Sequence, residues 1–163
     1  MNMRVFSLVS LLLVSIATGQ QSNKQPNLNP YNIPDELRTC LRAKPGLEID
    51  AGVNPFYISA DFDGDGFTDF AAQVQTKKDQ RQGILFCLTK GGPVLLGAGA
   101  PVVWPQDDSE TWPFDSWILI PKGSKHLSIY PQIRFDALVL IKADEGGGLI
   151  YWDGRKFRWQ QEE

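Results

Sequence analysis

Hydrophobic and polar positions alternate along much of the chain, and this two-residue period predicts β-strands. The clearest case is 70–75, where Phe70, Ala72 and Val74 alternate with other residues, so a strand with one buried and one wet face is expected. Further short strands are predicted at 56–60, 84–88, 94–96, 117–120 and 127–130. The nearly continuous apolar run at 137–141 predicts a central strand covered on both faces.

A hairpin is predicted near the end of the chain. Its strands, 149–152 and 156–159, flank Asp153-Gly154, a dipeptide suited to a tight turn with positive φ. The preceding run Gly146-Gly147-Gly148 lacks the residues of a phosphate-binding loop and is predicted to be a turn.

One short helix is predicted before the strands. Asn32 can cap it, Pro34 suits its first turn, and Leu37, Cys40 and Leu41 form one apolar stripe that should lie on a sheet. Pro45-Gly46 follows and predicts its end.

About eight strands after a single helix, without alternation of the two, favour a mainly β fold. We expect antiparallel sheets built from hairpins or a meander, with the helix packed on a sheet. The length of 163 residues suits one domain, which we assign to 31–163.

The first residues have the pattern of an export signal. Arg4 precedes an apolar run at 5–16, and Ala17-Thr18-Gly19 offers small residues for cleavage after Gly19. The run is shorter than the roughly 20 residues that span a bilayer. We therefore predict a signal peptide at 1–19, a flexible polar leader at 20–30, and a secreted or periplasmic protein without membrane insertion after cleavage.

The chain has two cysteines, Cys40 and Cys87. In an oxidising compartment such a pair favours a disulfide, and two buried free thiols are the alternative. The formal net charge is -3, from 16 basic and 19 acidic residues. Because nucleic acids require a concentrated basic surface, this mild acidity gives no reason to expect one as a partner.

The strongest chemical signal is the acidic segment 61–69. Carboxylates stand at its positions 1, 3, 5 and 9, from Asp61, Asp63, Asp65 and Asp69, while Gly66 allows a sharp turn and Phe67 can offer its carbonyl oxygen. Calcium takes six to eight oxygen ligands, and this spacing places oxygens around one point. A solvated acidic turn without metal is the alternative. A bidentate glutamate is expected at position 12 of an EF-hand, but Ala72 stands there, inside a predicted strand.

The stretch 60–71, Ala-Asp-Phe-Asp-Gly-Asp-Gly-Phe-Thr-Asp-Phe-Ala, resembles the core of the FG-GAP and VCBS-type repeats of integrin-like propellers and secreted bacterial proteins. The resemblance implies a calcium loop between two strands, with Asp61, Asp63, Asp65, Asp69 and the backbone of Phe67 as ligands. The loop occurs once, whereas a propeller needs about four blades or more, so a complete propeller is not expected.

Other candidate residues point less clearly to chemistry. His126 is the only histidine and is predicted to lie on the surface, and the acidic group at 107–110 is predicted to be a solvated loop. Trp104 and Trp112 are the tryptophans expected to be exposed, so they are candidate contacts for a protein or glycan partner.

No catalytic set emerges from these residues. The sequence therefore favours a secreted, calcium-stabilised binding module that is not an enzyme. The alternatives are a carboxylate-dependent extracellular hydrolase and an inhibitor protein of the cell envelope.

Overall fold

Two antiparallel sheets share one hydrophobic core in the computed structural model, which describes residues 33–105, 114–144 and 146–162. The described elements are α1 (Asp35–Arg42), β1 (Leu47–Ile49), β2 (Tyr57–Ala60), β3 (Asp69–Thr76), β4 (Gln82–Leu88), β5 (Gly92–Gly97), β6 (Ser116–Ile120), a 3₁₀ helix (His126–Ile129), β7 (Ala137–Lys142), β8 (Gly146–Trp152) and β9 (Phe157–Gln161). The predicted fold class is confirmed: the protein is mainly β and antiparallel, with one α-helix among the described residues.

The first sheet has the order β1-β3-β4-β5, and β2 also pairs with β3. β1 and β2 share one edge of β3, since Ile49 lies opposite Val74 and Tyr57 lies opposite Ala72. The backbone of Gln73, between these partners, bonds to both ends of the connecting loop: it accepts from the Asp50 N–H and donates to the Phe56 carbonyl, each at 3.0 Å. This three-residue β1 is absent from the strands that alternation predicts.

The second sheet is a meander of β6, β7, β8 and β9. The predicted last hairpin is confirmed, with Trp152 opposite Phe157 and Gly154 at a φ of +97° in the turn. The three glycines predicted as a turn lie instead within β8. A Cβ on Gly148 would lie 2.3 Å from the Trp159 ring, so the absent side chain makes room for that ring on the strand.

The main core lies between the sheets. Side chains of β3 and β4, such as Ala71, Ile84 and Phe86, join side chains of β7 and β8, such as Leu140 and Ile150. The prediction of a wet face on β3 is wrong, because seven of its eight residues are buried. The reason is that the first sheet is covered on both sides, by the second sheet and by α1. The prediction that 137–141 is a covered central strand is confirmed by its place in β7, between β6 and β8.

α1 covers the outer face of the first sheet through Leu37, which is fully buried in a cluster with Val74 and Leu85. Its N-cap position is Pro34, without a side-chain hydrogen bond, whereas the predicted cap Asn32 lies outside the described residues. The predicted disulfide is present between Cys40 of α1 and Cys87 of β4, whose Cα atoms are 5.9 Å apart. It therefore ties the helix to the middle of the sheet.

The predicted strand at 127–130 is wrong, because His126–Ile129 is a 3₁₀ helix. Its N–H groups bond three residues back, as from Leu127 to Ser124 and from Tyr130 to Leu127. Leu127 is buried over the outer face of the second sheet, whereas Ile129 is 73% exposed. The segment thus covers a sheet with one anchoring side chain and pairs with no strand.

No helix in the described ranges has the length and apolar character required to cross a bilayer. The predicted signal peptide and leader lie outside the described residues.

Candidate metal centre

The acidic segment connects β2 to β3, which pair with each other as a hairpin. Ala60 lies opposite Asp69 at the last register position, so the segment begins and ends on paired strands. The strand expected after the loop is thus confirmed, and Ala72, at position 12, is a fully buried residue of β3.

Three of the four predicted carboxylates converge. Asp61, Asp63 and Asp65 each offer an oxygen, and these oxygens lie within 4.8 Å of one another. At an effective dielectric near 20, two unit charges about 4 Å apart repel by about 4 kcal/mol. The arrangement therefore needs compensating positive charge or aligned dipoles.

Backbone N–H groups of the loop supply part of this compensation. Asp61 accepts from the N–H groups of Gly64 at 2.9 Å and Gly66 at 3.3 Å, one on each oxygen. Asp63 accepts from the Asp65 N–H at 3.1 Å, and Asp65 accepts from the Phe67 N–H at 2.8 Å. The carboxylates thus shape the loop by short-range side-chain to backbone bonds.

Two glycines permit this path. Gly64 and Gly66 have φ values of +79° and +83°, in the left-handed region that favours glycine. Gly64 has a second constraint, since a Cβ there would lie 2.1 Å from the ring of Phe135. The loop therefore packs closely against the segment that leads into β7.

Asp69 lies apart from the converging group and is fully buried. One of its oxygens accepts from the Phe62 N–H at 3.1 Å and the other from the Thr89 N–H at 2.7 Å. Burial raises the pKa of Asp69 above its ordinary value, against the lowering effect of the Thr89 hydrogen bond, and the nearby charge of Asp63 raises it further. Asp69 thus joins the start of the acidic loop to the β4–β5 turn.

The loop is also attached to the second sheet. Asp136 accepts from the Asp61 N–H at 3.0 Å and from the Lys122 N–H at 2.8 Å. Phe62 is 1% exposed, and its ring packs edge-to-face on Phe86 with centroids 5.3 Å apart. Sequence reasoning missed Asp136 and Lys122, because no local spacing connects residues so far along the chain from the loop.

Two lysines lie beside the carboxylates. The ammonium of Lys122 is 3.4 Å from Asp61 Oδ2, and that of Lys90 is 3.8 Å from Asp65 Oδ2 and 3.9 Å from the centre of the Phe67 ring. Asp65 Oδ2 is buried and accepts no hydrogen bond from any described residue. The three carboxylates and two ammonium groups together carry a net charge of -1.

The remaining candidates lie away from this loop or outside the description. Trp104 is 5% exposed and packs edge-to-face on Phe114, so the expectation of an exposed ring is wrong: the ring belongs to the core. Trp112 and the acidic group at 107–110 lie outside the described residues. His126 is on the surface as predicted, with Nε2 2.5 Å from Glu162 Oε1.

Comparisons with protein-family models, with curated proteins and with solved structures found no match.

Proposed function

We propose that this chain is an exported binding module whose acidic loop is stabilised by calcium, and that it has no catalytic site. The observation that carries the proposal is the convergence of Asp61, Asp63 and Asp65, whose oxygens lie within 4.8 Å of one another on a hairpin between two strands. Oxygen-only ligands from carboxylates and carbonyls are the set that calcium prefers.

The residues present fit such an ion. Asp65 Oδ2 is a buried oxygen without a hydrogen-bond donor among the described residues, which a cation would satisfy. In this proposal Asp61, Asp63 and Asp65 hold the ion together with the Phe67 carbonyl. The ion supplies positive charge that removes the repulsion among the carboxylates.

Asp69 has a supporting position in this proposal. Both of its oxygens accept backbone N–H groups, from Phe62 and Thr89, so Asp69 anchors the loop that the ion would bind. The ligand role of Asp69 stays a prediction from the sequence, since its oxygens are not among those that converge.

An extracellular location suits a site of this kind. Calcium modules that work outside cells bind with dissociation constants of about 10⁻⁴–10⁻³ M, weaker than intracellular sensors. Three carboxylates with two competing lysines are consistent with that range. The Cys40–Cys87 disulfide is compatible with an oxidising compartment.

Thermal unfolding tests the proposal. We expect millimolar calcium to raise the melting temperature and EGTA to reverse the rise, because a ligand that binds only the folded state stabilises it, by about 2.7 kcal/mol at 100 times the dissociation constant. Magnesium should act more weakly, since it requires octahedral geometry and retains its waters.

Two matched variants locate the effect. Asp63→Asn removes one converging carboxylate and should abolish most of the calcium-dependent shift. Asp144→Asn removes an exposed carboxylate in the β7–β8 turn, at a φ of +65° that asparagine accepts, and should leave the shift unchanged. An identical melting temperature with calcium and with EGTA in the unaltered protein would overturn the calcium assignment.

A further inference from the structure

A groove of about 750 Å³ runs between β5 and β9, the outermost strands of the two sheets. Its lining is mostly apolar and includes Val94, Leu96, Val102 and Trp159. The groove therefore lies along the open side of the sandwich, away from the acidic loop's own residues.

The backbone of β9 offers hydrogen-bonding groups on this side. The backbone N–H of Asp153 donates to the Lys156 carbonyl, and that of Glu162 donates to the Gly147 carbonyl. These two bonds establish which residue pairs along the β8–β9 hairpin are hydrogen-bonded to each other. Because such pairs alternate along antiparallel strands, the N–H and C=O groups of Phe157, Trp159 and Gln161 point away from β8. No backbone–backbone hydrogen bond joins them to a described residue outside β8, although the Gln161 carbonyl accepts from Gln160 Nε2 at 3.0 Å. Such an edge is a template for one more strand.

The groove also carries positive charge. Lys156 and Arg158 line it, and Arg155 lies in the same turn. Against these three cations the hairpin turn has one carboxylate, Asp153, which binds the Arg158 Nε at 2.6 Å. The 153–158 segment therefore has a net charge of +2 in a chain whose net charge is -3.

We propose that β9 accepts an extended acidic peptide as a fifth strand of the second sheet. The charge selects this occupant. An acidic strand is attracted to Lys156 and Arg158, and pairing of β9 with a second copy of the chain is an outcome of the test below. The apolar lining also offers few groups to the hydroxyls of a sugar.

The pleat specifies the pattern of the peptide. Phe157 and Trp159 pack against the core between the sheets, while Lys156 and Arg158, which alternate with them, are exposed and border the same groove. Since side chains of an added strand alternate in the same way, one set enters the apolar groove and the other lies beside the two cations. The preferred ligand is therefore a segment in which apolar and acidic residues alternate.

This inference rests on the binding part of the proposed function and is independent of its calcium part. It names the surface and the class of partner.

The test uses the purified protein and a capped seven-residue peptide in which valine alternates with glutamate. We expect amide NMR shifts on titration at Phe157, Trp159 and Gln161 and along the groove. A peptide with lysine in place of glutamate should bind about tenfold more weakly or not at all, because opposite charges across strands attract and like charges repel. Two further peptides carry N-methyl groups, one at the valines and the other at the glutamates. In an added strand only one of these two sets of N–H groups faces β9, so at least one of the two peptides should lose binding.

Charge-reversal variants provide the second arm. Lys156→Glu with Arg158→Glu should reverse the preference, so that the lysine peptide binds better. Lys156→Glu alone alters one exposed side chain and keeps the test valid if the double variant fails to fold. Lys78→Glu with Lys125→Glu, two exposed sites outside the groove lining, should leave the preference unchanged.

Several results would overturn the proposal: no shifts at millimolar peptide, shifts confined to another surface, equal binding of both peptides, full binding of both N-methylated versions, or dimerisation through β9. Titrations run with calcium and with EGTA separate the two proposals. A calcium-dependent melting temperature without peptide binding rejects the β9 site alone, and peptide binding without a calcium effect rejects the calcium site alone.

Discussion

Replacement of Phe62 by alanine tests whether the acidic loop is part of the core. Phe62 stands between Asp61 and Asp63, yet its side chain is 1% exposed. Its ring packs edge-to-face on Phe86, which in turn stacks on Phe157 at a centroid distance of 3.8 Å. These three rings link the loop, the first sheet and the second sheet.

The magnitude follows from the burial. Truncation of a buried phenylalanine to alanine costs about 3–5 kcal/mol of stability. Loss of an aromatic pair contributes about 0.5–1.5 kcal/mol to a cost of this kind. We therefore expect Phe62→Ala to lower the free energy of unfolding by about 4 kcal/mol. For a domain of this size, that corresponds to a fall of about 10–20 °C in melting temperature.

Urea unfolding followed by tryptophan fluorescence measures the change, and the same loop supplies the control. Phe67 is 49% exposed, so Phe67→Ala should change the free energy by less than about 1 kcal/mol, mainly through its contact with Lys90. Both proteins should be compared in EGTA, so that calcium does not contribute. Equal effects of the two substitutions, or a loss below 1 kcal/mol for Phe62→Ala, would refute the view that the loop is anchored in the core.

Three further predictions concern other parts of the molecule. Gly64→Ala should destabilise the protein by at least about 1–2 kcal/mol, because the new Cβ would meet the Phe135 ring and the φ is +79°. In Gly66→Ala the new Cβ meets no atom within 4 Å, so this variant should show only the backbone cost, and equal losses of the two variants in urea unfolding would contradict the Phe135 contact. Cys40→Ala with Cys87→Ala should cost about 2–4 kcal/mol through the freed chain of the unfolded state, and unchanged unfolding would show that the bridge adds nothing. The hydrogen bond from Arg158, together with the one from the Lys156 N–H, lowers the pKa of Asp153 to about 2. The stabilising effect of the ionised Asp153 is therefore complete above about pH 4 and is lost as the pH falls through 2. An NMR titration should show this pKa and its rise in Arg158→Gln, and an ordinary pKa in the unaltered protein would refute the pairing.

The sequence predicted those elements whose pattern is local. The last hairpin follows from a turn dipeptide between aromatic strands, and the central β7 follows from an apolar run. β1 has three residues, too few for an alternation, and forms because β3 offers it an edge. Gln73 and Gln75 are buried because of the tertiary structure, since α1 and the second sheet cover β3 from opposite sides.

The candidate site divides in the same way. Asp61, Asp63 and Asp65 converge because their spacing on one turn brings them together, which the sequence alone indicates. Their surroundings come from elsewhere: Lys90 follows β4, and Lys122 and Asp136 flank the segment between β6 and β7. No periodicity relates these positions, so only the packing of the two sheets shows them.

This packing determines what an ion at the loop would stabilise. Asp136 accepts a hydrogen bond from the Asp61 N–H, and the Phe135 ring lies against Gly64. Phe135 and Asp136 directly precede β7 of the second sheet. Asp69, at the other end of the loop, holds the β4–β5 turn of the first sheet through Thr89. Because the loop contacts both sheets, charge repulsion within it opposes the docking of one sheet on the other. We therefore expect calcium to slow hydrogen exchange at β7 amides as well as in the loop, and protection confined to 61–69 would show that the loop opens independently of the sandwich.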